Sequence, residues 1–130
     1  PKPSPCITVQ QNAEAYYYDV TCKYIENNID SAFTLKHISQ FAMVSPSYLE
    51  RLFNSFAGMS VIQYCNSRKV EHAKQLIRED RMNISQIALS LGFSSIHYFS
   101  RIFRKIEGMA PSDYARSVKS LEDHSKLLNT

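Results

Sequence analysis

The stretch SSIHYFSRIFRKIEGM, Ser94 to Met109, repeats the layout of SPSYLERLFNSFAGM, Ser45 to Met59, and this repetition decides the fold. Subtracting 50 from the later numbers pairs Tyr98 with Tyr48, Phe99 with Leu49, Arg101 with Arg51 and Phe103 with Phe53. It also pairs Ile106 with Phe56, Gly108 with Gly58, Met109 with Met59 and Tyr114 with Tyr64. Upstream the offset is 49, because Ile96 is one extra residue, and Ile84, Ile87 and Leu91 then match Leu35, Ile38 and Ala42. Each copy reads as a short helix, a tight turn, a second helix and a Gly-Met stop. Two such helices joined by a turn of about three or four residues make a helix-turn-helix.

Helical period extends beyond the repeat, as in Tyr17, Val20, Tyr24 and Ile25, and no stretch alternates like a strand. Capping chemistry marks the boundaries. Thr34 precedes the second helix, and Ser45 stands before Pro46, whose missing N–H costs nothing at a first helical position. Ser60 and Gln63 have capping-box spacing at the head of a longer helix, whose inner face carries Val61, Tyr64, Cys65, Ala73, Leu76 and Ile77. Asn83 caps the next helix, Gly92 ends it, and Ser94 or Ser95 opens the one after. The class expected is all-α and homeodomain-like, a seven-helix domain with two helix-turn-helix units joined by a long linker helix. The expected division is a lead-in at 1–13, a first unit at 14–59, a linker helix at 60–80, a second unit at 81–120 and a polar tail at 121–130. The lead-in rests on PKPSP, three prolines in five residues without apolar period, and the last helix is expected from Pro111 to about Ser120.

At 130 residues with a 44% apolar fraction, the chain suits one globular unit or two very small ones sharing a core. No apolar run approaches a membrane span and no signal peptide is visible, so a soluble, cytoplasmic protein is expected. Cys6, Cys22 and Cys65, an odd set without a C-x-x-C pair, fit reduced thiols. A start at Pro1 is expected for a fragment of a longer protein. The net charge of +3 is unevenly spread: residues 45–120 hold eleven Lys or Arg against six Asp or Glu. The basic balance therefore sits with the repeats and hints at a polyanionic partner, although a pI of 8.8 is not extreme.

In a helix-turn-helix the second helix lies in the DNA major groove, while its other face holds it to the core. Leu49, Leu52, Phe53 and Phe56 are expected to face in and Ser47, Glu50, Arg51 and Asn54 out. In the second copy Phe99, Ile102, Phe103 and Ile106 face in, and Ile96, His97, Ser100, Arg101 and Arg104 face out. An arginine fork donates two bonds to guanine O6 and N7 or grips a phosphate, and Ile96 can meet a thymine methyl. Glu50 repels phosphate, so it must accept from a cytosine amino group, orient Arg51, or lie away from the DNA backbone. Some 20 linker residues at about 1.5 Å each span roughly 30 Å, near the ~34 Å between successive major-groove faces.

From Tyr16 to Lys119 the residues resemble the DNA-binding domain of the AraC/XylS class of bacterial transcription regulators. ISQIALSLGFSSIHYFSRIFRKIEGMAPSDYARS is similar to that family's signature region, and SPSYLERLFNSFAGMSVIQYCNSRKVEHAKQLI resembles its first motif and linker helix. The resemblance implies two recognition helices in adjacent major-groove segments of double-stranded promoter DNA. It implies base reading at Ser47, Glu50, Arg51, Ile96, His97, Ser100 and Arg101, and backbone contacts at Thr34, Asn83, Arg104 and Lys105. It further implies a regulator that meets RNA polymerase and belongs to a longer protein whose sensing or receiver domain can drive dimerisation; no cofactor is expected. Two positions depart from the pattern: Met43 stands where the second copy has Gly92, and Val61 where it has Pro111.

Plainer readings stand beside these. Phe53, Phe56, Phe99 and Phe103 are core at this spacing, not base-stacking platforms. Cys65 and His72 share a linker face but are only two ligands, so no metal site is expected. His97 has no nucleophile, carboxylate pair or Gly-rich loop at informative spacing, so no enzyme is expected. A helical protein-interaction module with a basic face is the alternative function. A third reading lets only the second unit engage bases while the first grips backbone.

Overall fold

A computed structural model describes residues 9–128 of the chain. Those residues form seven helices: α1 (Val9–Asn27), α2 (Leu35–Ala42), α3 (Pro46–Phe56), α4 (Val61–Glu79), α5 (Ile84–Ser90), α6 (Ile96–Glu107) and α7 (Pro111–Leu128). The fold is all-α, as the periodicity requires. Two compact units divide the described residues, one containing 9–29 together with 33–65, the other containing 30–32 and 66–128.

The caps are made by the residues whose chemistry calls for them. Thr34 Oγ1 accepts from His37 N–H at 3.2 Å, Ser45 Oγ from Tyr48 N–H at 3.1 Å, and Ser95 Oγ from Tyr98 N–H at 3.0 Å. Ser60 with Gln63 and Asn83 with Gln86 each close a reciprocal capping box.

In the first unit, α2 and α3 close on α1 around Ile25, Ile38, Leu49, Leu52 and Phe53, with Val61 and Cys65 from the first turns of α4. Tyr18 of α1 lies 4.9 Å from the Phe53 ring and stacks on Phe56 at 4.8 Å. In the second unit Val70, Ala73 and Ile77 of α4 pack with Ile87, Ala88, Leu91, Phe93, Phe99 and Phe103. Lys74 Nζ of α4 reaches Glu107 at the end of α6 and Glu71 on its own helix, each at 3.1 Å. Burial pulls the Lys74 pKa down, but the hydrogen bonds to Glu107 and Glu71 outweigh it and hold the group above its ordinary value.

The two turns share one closing pattern. Val44 N–H donates to Ser39 O at 3.2 Å and Phe93 N–H to Ala88 O at 3.1 Å, with the residue before each in the left-handed region, Met43 at φ 60° and Gly92 at φ 77°. Glycine is required only in the second. There a Cβ on Gly92 would lie 2.5 Å from Asp30 O, because the segment 30–32 is pressed against that turn. Lys69, only 3% exposed, fastens the same place, its Nζ donating to Ser31 O at 2.6 Å and to Leu91 O.

Three expectations are corrected. Helix α1 begins at Val9, so residues 9–13 of the expected lead-in are helical, since nothing between Pro5 and Asn27 breaks a helix; residues 1–8 lie outside the described residues. Helix α7 runs on to Leu128 where a polar tail was expected from 121, because LEDHSK contains strong helix formers and no Gly or Pro. Phe56 and Ile106, expected to face in, are 47% and 41% exposed, since each stands in the last turns of its helix, past the end of the core. Lys69 was missed as an interior residue. Among the described cysteines, Cys22 is half-buried and Cys65 buried; Cys6 lies outside the described residues.

Candidate nucleic-acid interface

The exposed side chains of α3 and α6 are what each unit offers to a partner. Pro46 starts α3 immediately after its Ser45 cap, so Ser47 and Arg51, one turn apart, share an exposed face while Leu49, Leu52 and Phe53 are buried. In α6 the capped start at Ser95 leaves Ile96, His97 and Arg101 exposed and Ser100 half-buried, opposite the buried Phe99 and Phe103. Arg104 and Lys105 follow in the last turn of α6 and are exposed as well.

The paired arginines are held alike. The Arg51 guanidinium lies 5.0 Å from the Tyr48 ring centroid and that of Arg101 lies 5.4 Å from the Tyr98 ring. Each ring stands three residues before its arginine, so the guanidinium is pre-stacked on its own helix. Tyr48 and Tyr98 were missed as positioning residues. Their signal was present in the repeat, which preserves Tyr and Arg together at the 50-residue offset. Tyr98 is held in turn by Asn66, whose Nδ2 donates to its hydroxyl at 3.4 Å.

Glu50 is placed differently from the other expected readers. It is half-buried, and its Oε1 accepts from the Val61 N–H at 2.8 Å. Asn54 sits beside it, its Nδ2 donating to the Glu50 carbonyl at 2.9 Å. Thr34 and Asn83 stand exposed at the heads of α2 and α5 with their side-chain oxygens engaged as caps. Each unit thus presents one helix with an arginine and short polar side chains at its N-terminal half. The second unit adds two further cations.

Among the described residues there is no group of three or more His, Cys, Asp or Glu that could hold a metal ion, and no helix is long and apolar enough to cross a membrane.

The family model of a helix-turn-helix domain matches residues 38–117. The chain is 35% identical over 94 residues to the arabinose operon regulatory protein of Escherichia coli (strain K12), an alignment covering 72% of this chain and 32% of that protein. The chain thus spans about a third of the length of this relative. It is similar to the C-terminal domain of AraT, a response regulator from Geobacillus stearothermophilus, with a TM-score of 0.74 at 30% identity over 78% of this chain and 84% of that one. It also shares its fold with the DNA-binding domain of AdpA, a global transcriptional factor solved in complex with a target DNA, at a TM-score of 0.75 and 19% identity over 79% of this chain and 93% of that one. The chain belongs to the AraC-type family of helix-turn-helix DNA-binding domains of bacterial transcription regulators.

Proposed function

We propose that this chain binds double-stranded promoter DNA sequence-specifically by inserting α3 and α6 into two successive major-groove segments, acting without cofactor or catalysis. The observation that carries the reading is the matched arginine, stacked on a tyrosine at the same place in both recognition helices. Arg51 and Arg101 donate to guanine or phosphate, Ile96 meets a thymine methyl, and Ser47, His97 and Ser100 complete the base contacts. Arg104 and Lys105 meet phosphates, as do the helix heads at Thr34 and Asn83. The surrounding regulator then acts in the bacterial cytoplasm, at the nucleoid, by engaging RNA polymerase, and dimerises through a domain outside this chain.

The test is binding to a duplex selected from a random pool. Arg101→Ala is expected to weaken binding by about 1 to 3 kcal/mol and to relax preference at one base pair. Unchanged affinity and preference would overturn the recognition-helix assignment. A helical protein-interaction module with a basic face makes the opposite forecast for competition, in which unrelated duplex displaces the selected duplex as readily as the selected duplex displaces itself.

A further inference from the structure

The two copies differ where the helix after each recognition helix begins. At the head of α4, Ser60 N–H donates to Gln63 Oε1 at 2.9 Å and Gln63 N–H to Ser60 Oγ at 3.1 Å. The capping box leaves over the N–H of Val61, the first helical residue, and Val61 is fully buried. Glu50 Oε1 takes that N–H at 2.8 Å, in a bond that runs from the recognition helix α3 to the helix that follows it. A carboxylate at a helix N-terminus is further favoured by the positive end of the helix dipole.

At the 50-residue offset Val61 becomes Pro111 and Glu50 becomes Ser100. Proline carries no N–H and is suited to a first helical position, so the head of α7 has no orphan donor there and calls for no carboxylate on α6. Both sides of the contact change together within one chain. Where an N–H is present a carboxylate faces it, and where the N–H is gone so is the carboxylate.

We propose that Glu50 is a positioning residue and not a base reader: its carboxylate clamps α3 to the first turn of α4 and so fixes the direction in which α3 presents Ser47 and Arg51. This rests on the DNA-binding reading above. The two heads therefore read with different sets, Ser47 and Arg51 in the first, Ile96, His97, Ser100 and Arg101 in the second. Clamping also resolves the conflict of an acidic residue on a DNA-facing helix, since the anion is turned toward backbone N–H instead of toward phosphate.

The test compares the full chain with Glu50→Gln, Glu50→Asp and Glu50→Ala, each in the Val61 and the Val61→Pro background, by urea denaturation and by binding to the selected duplex and its single-base-pair variants. At a temperature where every protein is folded, Glu50→Ala and Glu50→Asp are expected to bind about tenfold more weakly, the factor that corresponds to ~1.4 kcal/mol, with the same base preference. The Asp side chain is one methylene too short to reach the N–H. Glu50→Gln keeps an acceptor at the right distance and loses less than about threefold. In the Val61→Pro background the Ala substitution loses its effect. A changed base preference in the first segment for any Glu50 variant would overturn the proposal, as would equal effects of Glu50→Ala in both backgrounds. If Val61→Pro does not fold, the Gln-versus-Asp contrast decides: equal losses for both overturn the clamp. A wild-type chain without preference for the selected duplex overturns the DNA reading itself, and the denaturation cycle between Glu50 and Val61 then still reports whether the clamp exists.

Discussion

Gly58 and Gly92 adopt nearly the same torsion, φ 71° and φ 77°, yet they stand in different surroundings. A Cβ on Gly58 meets nothing within 4 Å, whereas one on Gly92 would strike Asp30 O at 2.5 Å and the Ser31 carbonyl carbon at 2.9 Å. Gly58→Ala is therefore expected to cost about 1 kcal/mol, the strain of a left-handed alanine. Gly92→Ala adds a backbone collision and should exceed ~3 kcal/mol. Urea denaturation of the two variants checks the ordering, and equal costs would mean that the segment 30–32 does not press on the turn. Met43 makes the point from the other side: it takes the same left-handed conformation with its side chain 88% exposed, so no neighbouring backbone forbids a Cβ there. The Met43 and Gly92 difference was legible in the sequence. Its cause was not, because the obstructing carbonyls belong to residues far upstream.

At the scale of helices, what was legible is what local chemistry encodes. Thr34, Ser45, Ser60 with Gln63, and Asn83 cap where their hydroxyls and amides say they should, and the buried stripes of α3 and α6 follow the helical period. What escaped depends on distant partners or on missing breakers. The start of α1 and the extension of α7 had no stop signal, the Glu50 bond crosses eleven residues, and the Lys69 bonds cross 38 and 22. Lys69 turns one face of α4 into a tie, its ammonium shared by Ser31 O and Leu91 O and lying 5.7 Å from the Phe93 ring centroid. Lys69→Met preserves the stem and removes the donor, leaving the buried Leu91 carbonyl and the part-buried Ser31 carbonyl without this donor, so stability should fall by about 2 kcal/mol in denaturation experiments. No loss would show that the tie is dispensable. Helix α1 carries a pH signature. Burial first, then the hydrogen bond and charge of Cys22, push the Tyr18 hydroxyl from 10.0 to about 12. A folded pKa above the unfolded one means that its contribution is complete below pH 10.0 and is lost as pH rises toward about 12. The melting temperature of the wild type should therefore fall more steeply across that window than that of Tyr18→Phe; parallel curves would contradict the assignment.

For the molecule as a whole, the duplicated motif was the most informative signal, because two matching helix-turn-helix patterns constrain far more than one. Fold class, the paired arginines and the basic balance of residues 45–120 were all visible in it. The stacking of each arginine on its tyrosine, and the use of Glu50 as a cap, were not, because they depend on side-chain directions that spacing alone leaves open. The central claim is that both heads read DNA. A methylation-protection footprint on the selected duplex tests it most directly, since it reports guanine N7 in the major groove. Two protected clusters on one side of the helix, about 10 base pairs apart, are expected, with Arg51→Ala erasing one and Arg101→Ala the other. A single cluster, lost with Arg101→Ala and indifferent to Arg51→Ala, would contradict the account.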